Sequence, residues 1–107
     1  MSIHEISTAE LEVLLATGAR LIDVREADEY TAGHVPGAVH IALGTVPDHV
    51  DAFRGDGPAY VICRSGARSM RACEYLAQEG VEAVNIAGGT LDWVAGGRPV
   101  ITGMSPT

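Results

Sequence analysis

The sequence predicts an α/β fold with a mainly parallel sheet. Three observations carry that prediction: short apolar runs alternate with segments of helical pattern, the helical segments open and close on recognisable caps, and no internal repeat or low-complexity run interrupts the alternation.

Ser7-Thr8-Ala9-Glu10 reads as a capping box, with Ser7 at the N-cap and Glu10 three residues on. It opens a helix with Leu11, Leu14 and Leu15 on one face, ending near Gly18. Arg20-Leu21-Ile22-Asp23-Val24 suits a buried strand. Glu26 to about Ala32 is a short helix stopped by Gly33. Val35-Pro36-Gly37-Ala38 makes a turn into a short strand, Val39-His40-Ile41. Pro47 to Phe53 reads as a helix with proline in its first turn, and residues 54–58 as a surface loop. Ala59-Tyr60-Val61-Ile62 is a β-prone strand, and Cys63 follows it directly. The longest helix is expected from Ser69 to about Glu79, closed by Gly80. Val81 to Ile86 holds the last strand. Gly88-Gly89 turns the chain, and Thr90 is expected to N-cap a final short helix through Trp93. The segment from Gly96 to Thr107 is expected to pack loosely or fray.

A chain of 107 residues with 47% hydrophobic content has room for one domain and one sizeable core. The expected domain is 1–107, with its core at roughly 3–98 and a tail at 99–107. The formal net charge is −7, which argues against nucleic-acid and anionic-membrane partners. No apolar run approaches a membrane span. Met1 to Glu5 lacks the charged and apolar regions of a leader, so a cytoplasmic protein is expected. His4, His34, His40 and His49 have no metal-ligand spacing, so no metal site and no cofactor are expected.

Two cysteines are too few for a disulfide scaffold, and free thiols are expected. Cys73 falls on the helix face shared with Met70, Leu76 and Ala77 and reads as core. Cys63 differs: it opens the loop Cys63-Arg64-Ser65-Gly66-Ala67-Arg68-Ser69, between a buried strand and a helix. Ligands bind at the carboxyl ends of parallel strands, and a loop entering a helix aims backbone N–H groups inward as an anion nest. Gly66 permits the turn, while Arg64 and Arg68 add positive charge. Such surroundings favour a thiolate with a lowered pKa.

Four segments together resemble the rhodanese, or thiosulfate sulfurtransferase, family. Leu21-Ile22-Asp23-Val24-Arg25 is similar to its (L/I)IDVR strand. Glu29-Tyr30 with Gly33-His34-Val35-Pro36-Gly37-Ala38 is similar to its E(Y/F)xxGHIPGA segment. Cys63 to Ser69 matches its CRxGxRS loop, and Gly88-Gly89-Thr90-Leu91-Asp92-Trp93 resembles its closing GGxxxW. The resemblance spans nearly the whole chain and implies a five-stranded, mainly parallel sheet with helices on both faces, in a single-domain, bacterial-type member. Four residues separate Cys63 from Arg68, as in the family's sulfurtransferases; its phosphatase and arsenate-reductase relatives have one residue more.

The resemblance implies a Cys63 persulfide that carries sulfur from thiosulfate or a related donor to a thiophilic acceptor, cyanide in vitro and a thiol or protein thiol in the cell. Arg64, Ser65, Gly66, Ala67 and Arg68 would bind the donor, with Asp23, Arg25, His34 and Ser69 supporting. Asp23 is expected near the loop, and Arg25 is expected to pair with an acid such as Glu29. His34 reads as stabilising a turn rather than activating Cys63. Trp93 is expected against the sheet, and Arg71 either extends the positive field or pairs with Glu74 or Glu79. The competing reading is a rhodanese-like relay or protein-binding module with little free thiosulfate activity.

Overall fold

The computed structural model describes residues 2–107; Met1, part of the opening segment read for a leader, lies outside them. Five parallel strands form one sheet: β1 (Glu5–Ile6), β2 (Arg20–Asp23), β3 (Val39–His40), β4 (Ala59–Ile62) and β5 (Ala83–Ile86), in the order β1-β5-β4-β2-β3. The central strands alternate between two cores, because successive side chains leave a strand on opposite faces. Ile22, Ala59, Val61 and Ala83 pack with Val46 and Phe53 and with Ala72, Cys73 and Leu76. Leu21, Ile62, Val84 and Ile86 pack with Leu11, Tyr30 and Trp93. The helices supplying these residues are α1 (Thr8–Leu15), α2 (Ala27–Ala32), α3 (Ala67–Gln78) and α4 (Gly89–Ala95), together with a 3-10 segment (Leu43–Phe53). α3 and the 3-10 segment cover one face; α1, α2 and α4 cover the other.

The capping box of α1 is present in full: Glu10 N–H donates to Ser7 Oγ, and Ser7 N–H donates to Glu10 Oε1. Four details depart from the sequence expectations. β1 is a two-residue edge strand, too short to show a period. The segment before Arg54 starts earlier than Pro47 and winds as 3-10 turns, broken at His49 by a non-helical backbone. α3 starts at Ala67, two residues earlier than expected, because Gly66 takes a left-handed conformation (φ 110°) as its N-cap. α4 is capped by Gly88 instead of Thr90, whose hydroxyl is engaged elsewhere.

The segment after Gly96 is tied down rather than frayed. Ile101 and His34 exchange backbone hydrogen bonds, Gly103 N–H donates to Thr31 O, and Gly37 N–H donates to Pro106 O. Trp93 is buried against the sheet, and its indole N–H donates to Pro99 O at 2.7 Å. These backbone pairings are invisible in composition, which is why the tail looked loose. Among the described residues, no helix is long and apolar enough to cross a membrane, and no cluster of three or more His, Cys, Asp or Glu could hold a metal ion.

Candidate active site

Cys63 follows the last residue of β4, at the carboxyl end of the sheet, and is only 1% exposed. Its sulfur sits at the floor of a cup made by residues 64–69. Gly66 N–H donates to Cys63 Sγ at 3.0 Å, and the Ser69 hydroxyl lies 3.3 Å from the same atom. Burial pushes the Cys63 thiol up. The Ser69 hydroxyl and the backbone N–H groups of Ser69, Gly66 and Ser65 together pull it down by more, so the net shift is downward.

The cup keeps its shape because its outer carbonyls are held. The backbone N–H and the hydroxyl of Thr90 both donate to Cys63 O at 2.9 Å, and Leu91 N–H donates to Arg64 O at 3.0 Å. With the carbonyls turned toward α4, the N–H groups of the loop turn toward the sulfur. This close approach requires Gly89: a Cβ there would stand 2.6 Å from the Cys63 and Arg64 carbonyl oxygens. Behind the loop, Asn85 on β5 donates from Nδ2 to Gly66 O at 3.2 Å and to Glu5 Oε2 at 2.8 Å.

The arginines divide into two kinds. Arg68 makes a two-pronged pair with Glu29 of α2 at 2.6 and 2.8 Å, both side chains about half-buried. Hydrogen bonding to Arg68 lowers the Glu29 carboxyl to about 2. Arg25 is buried and paired with Asp23 through Nε and Nη2, and also donates to Gly33 O. The expected Arg25–Glu29 pair is therefore absent, since each group has taken another partner. Asp23 pairs in register with Ile62, one residue before Cys63, which places it beside the loop as expected. Arg64 is exposed, and among the described residues it has no ion-pair partner. Arg71 is exposed as well and joins neither Glu74 nor Glu79.

Ser65 and Ala67 line the exposed rim of the loop, and Gly66 and Ser69 its buried wall. His34 is fully buried, stacked on Tyr30 with ring centroids 3.7 Å apart; Nδ1 lies 2.9 Å from Tyr30 O and Nε2 2.9 Å from Ser105 O. With both nitrogens on carbonyl oxygens, the ring ties α2 to the tail and serves the turn, not the sulfur. Cys73 is a free, buried thiol that burial pushes up to about 12.

Sequence reasoning missed the roles of Glu29, Asn85, Gly89 and Thr90. The signal for Asn85 was present as a polar residue inside the apolar run Ala83-Val84-Asn85-Ile86. Glu29 and Gly88-Gly89 stood in the resembling motifs, without a contact to assign to them.

The family model described as a rhodanese-like domain matches residues 7–96. Protein YtwF of Bacillus subtilis (strain 168) is 42% identical over 101 residues, covering 92% of this chain and 98% of its own. A protein of Allochromatium vinosum named sulfurtransferase is 33% identical over 102 residues, with 92% and 95% covered. Thiosulfate sulfurtransferase GlpE of Pseudomonas entomophila is 36% identical over 89 residues, with 82% of each chain covered. Among solved structures, a rhodanese-like domain protein from Staphylococcus aureus superposes with a TM-score of 0.80 at 34% identity, covering 85% of this chain and 91% of that one.

Proposed function

The chain belongs to the rhodanese-like domain family, a family of sulfurtransferases, and from that premise we propose that it moves sulfane sulfur from thiosulfate or a related anionic donor to a thiol acceptor through a persulfide on Cys63. One observation carries the reading. The Cys63 sulfur is nearly buried at the centre of a ring of N–H donors and one hydroxyl. A thiolate so placed is reached by a single terminal atom, such as the outer sulfur of an extended donor.

The Cys63 thiolate attacks the outer sulfur of thiosulfate. A sulfur–sulfur bond forms to Sγ, the bond to the sulfonate sulfur breaks, and sulfite leaves with its electron pair. The persulfide anion occupies the cup, where the loop N–H groups hold its charge as an oxyanion hole would. An acceptor thiolate or cyanide then attacks that outer sulfur and Cys63 leaves as a thiolate. This is covalent catalysis in two half-reactions. No general base is required once the thiolate exists.

Arg64 is the exposed cation of the loop and is the group for the donor's negative end and the departing sulfite. Arg68 is occupied by Glu29 and holds the loop to α2. Ser65 and Ala67, being small, leave the mouth open to a small anion. A protein thiol reaching the same mouth would be served by the same chemistry.

The test is steady-state kinetics with a panel of sulfur donors and thiol acceptors. Parallel double-reciprocal lines and activity abolished by Cys63→Ser are expected. Intersecting lines with activity surviving Cys63→Ser would refute the proposal, whereas negligible cyanide transfer beside fast transfer to a protein thiol would reassign the chain to a relay.

A further inference from the structure

The carbonyl of Gly66 has more suitors than lone pairs. Met70 N–H donates to it at 3.1 Å as the first bond of α3. Asn85 Nδ2 reaches it at 3.2 Å, and the Ser69 hydroxyl also lies 3.2 Å away. A carbonyl oxygen accepts two hydrogen bonds well. The Ser69 hydroxyl has one proton and a second acceptor, Cys63 Sγ, at 3.3 Å. Where that proton goes therefore depends on who else holds Gly66 O.

We propose that Asn85 is a positioning residue for the nucleophile: by filling the second lone pair of the Gly66 carbonyl, its amide directs the single Ser69 hydroxyl proton onto the Cys63 sulfur. The inference rests on Cys63 being the reactive thiolate. Three features of Asn85 support it. It is 1% exposed on a strand otherwise apolar. Its amide orientation is fixed, because both neighbours of Nδ2, Gly66 O and Glu5 Oε2, are acceptors. Among the described residues its Oδ1 has no hydrogen-bond partner although buried, so the side chain is held for what Nδ2 does, against the cost of an unpaired oxygen. A leucine of similar size would fill the same space without that cost and without the donor.

The ionisable groups around the loop do not compete for this role. Arg68 and Glu29 are paired with each other, as are Arg25 and Asp23. Glu5 lies beyond Asn85 on β1 and Cys73 lies on α3; among the described residues none of these six donates a hydrogen bond to Sγ.

The test is a double-mutant cycle read by the pH dependence of iodoacetamide alkylation at Cys63, followed by mass spectrometry of the Cys63 peptide. This readout needs no sulfur donor, so a protein that fails to transfer sulfur would refute the proposed function and leave this test intact. Ser69→Ala should raise the midpoint by about 1 pH unit, the worth of one hydrogen bond to an anion. Asn85→Leu should raise it by roughly half as much, since the Ser69 proton then divides between two acceptors. In the Ser69→Ala background, Asn85→Leu should add nothing. The inference is overturned if Asn85→Leu leaves the wild-type midpoint, or moves it equally with and without Ser69. If circular dichroism shows that Asn85→Leu does not fold, Asn85→Ser, which is too short to reach Gly66 O, takes its place with the same expected and contrary results.

Discussion

Cys63 and Cys73 are buried in the same cluster of side chains, which also holds Val61, Ala72 and Leu76. Burial penalises both thiolates. Cys73 yields to it and is pushed up to about 12. Cys63 overcomes it, because Ser69 and three backbone N–H groups point at its sulfur. Cys73 lies mid-helix, where the backbone donors around it are committed to the helix's own carbonyls. Cys63 precedes a helix, where the first N–H groups have no such partner. The two thiols thus differ in the donors at hand, the Ser69 hydroxyl and uncommitted backbone N–H groups at Cys63, and those donors favour one thiolate while burial disfavours the other. The arginines contribute less than their number suggests, since Arg68 is neutralised by Glu29.

The largest expected effect is on the contrast itself. Cys63→Ser should reduce sulfur transfer by at least about 10³-fold, as expected for loss of a covalent nucleophile. Cys73→Ala should keep the rate while lowering stability by about 1–2 kcal/mol for a small cavity. Urea denaturation and initial rates check both, and a rate lost on Cys73→Ala would erase the distinction.

Gly89→Ala should turn Cys63 toward the behaviour of Cys73. Its Cβ cannot coexist with the Cys63 and Arg64 carbonyls, so the loop must shift and the donors leave the sulfur. A fall in activity of roughly 10- to 100-fold and a destabilisation of about 2–4 kcal/mol follow. The diagnostic reading is the alkylation midpoint, which should rise; an unchanged midpoint would mean that α4 does not set the cup.

Arg64→Ala separates charge at the mouth from donors at the floor. The KM for thiosulfate should rise about 10-fold, the worth of one exposed ionic hydrogen bond, with kcat nearly kept. An equal loss in kcat would place Arg64 at the reacting sulfur instead.

Glu29→Gln tests the clamp. Glu29 is depressed from 4.5 to about 2 in the folded protein, so its contribution is complete above pH 4.5 and disappears as pH falls toward 2. At neutral pH the variant should be less stable by roughly 1–2 kcal/mol, a bidentate pair discounted for partial exposure. Thermal midpoints of wild type and variant should converge between pH 4.5 and 2. A gap constant across that window would remove the carboxylate from the account.

Much of this was legible in the sequence. The strand before Cys63, the glycine that turns the loop and the buried face carrying Cys73 are local patterns, and local patterns survive in sequence. Partner choice did not. Arg25 could have met Asp23 or Glu29, and only the path of α2 past the loop gives Glu29 to Arg68. The hold of α4 on the Cys63 and Arg64 carbonyls joins residues 27 apart, and Asn85 meets Gly66 through strand order, which no periodicity encodes. The tail's pairing with His34 was hidden for the same reason.

The central claim is that sulfur is carried on Cys63. Intact and peptide mass spectrometry of the protein after brief exposure to thiosulfate tests it most directly. A mass increase of one sulfur atom, confined to the Cys63 peptide and reversed by cyanide with release of thiocyanate, is the predicted result. An unmodified Cys63 in protein that is turning over thiosulfate, or a sulfur atom on Cys73 instead, would contradict it.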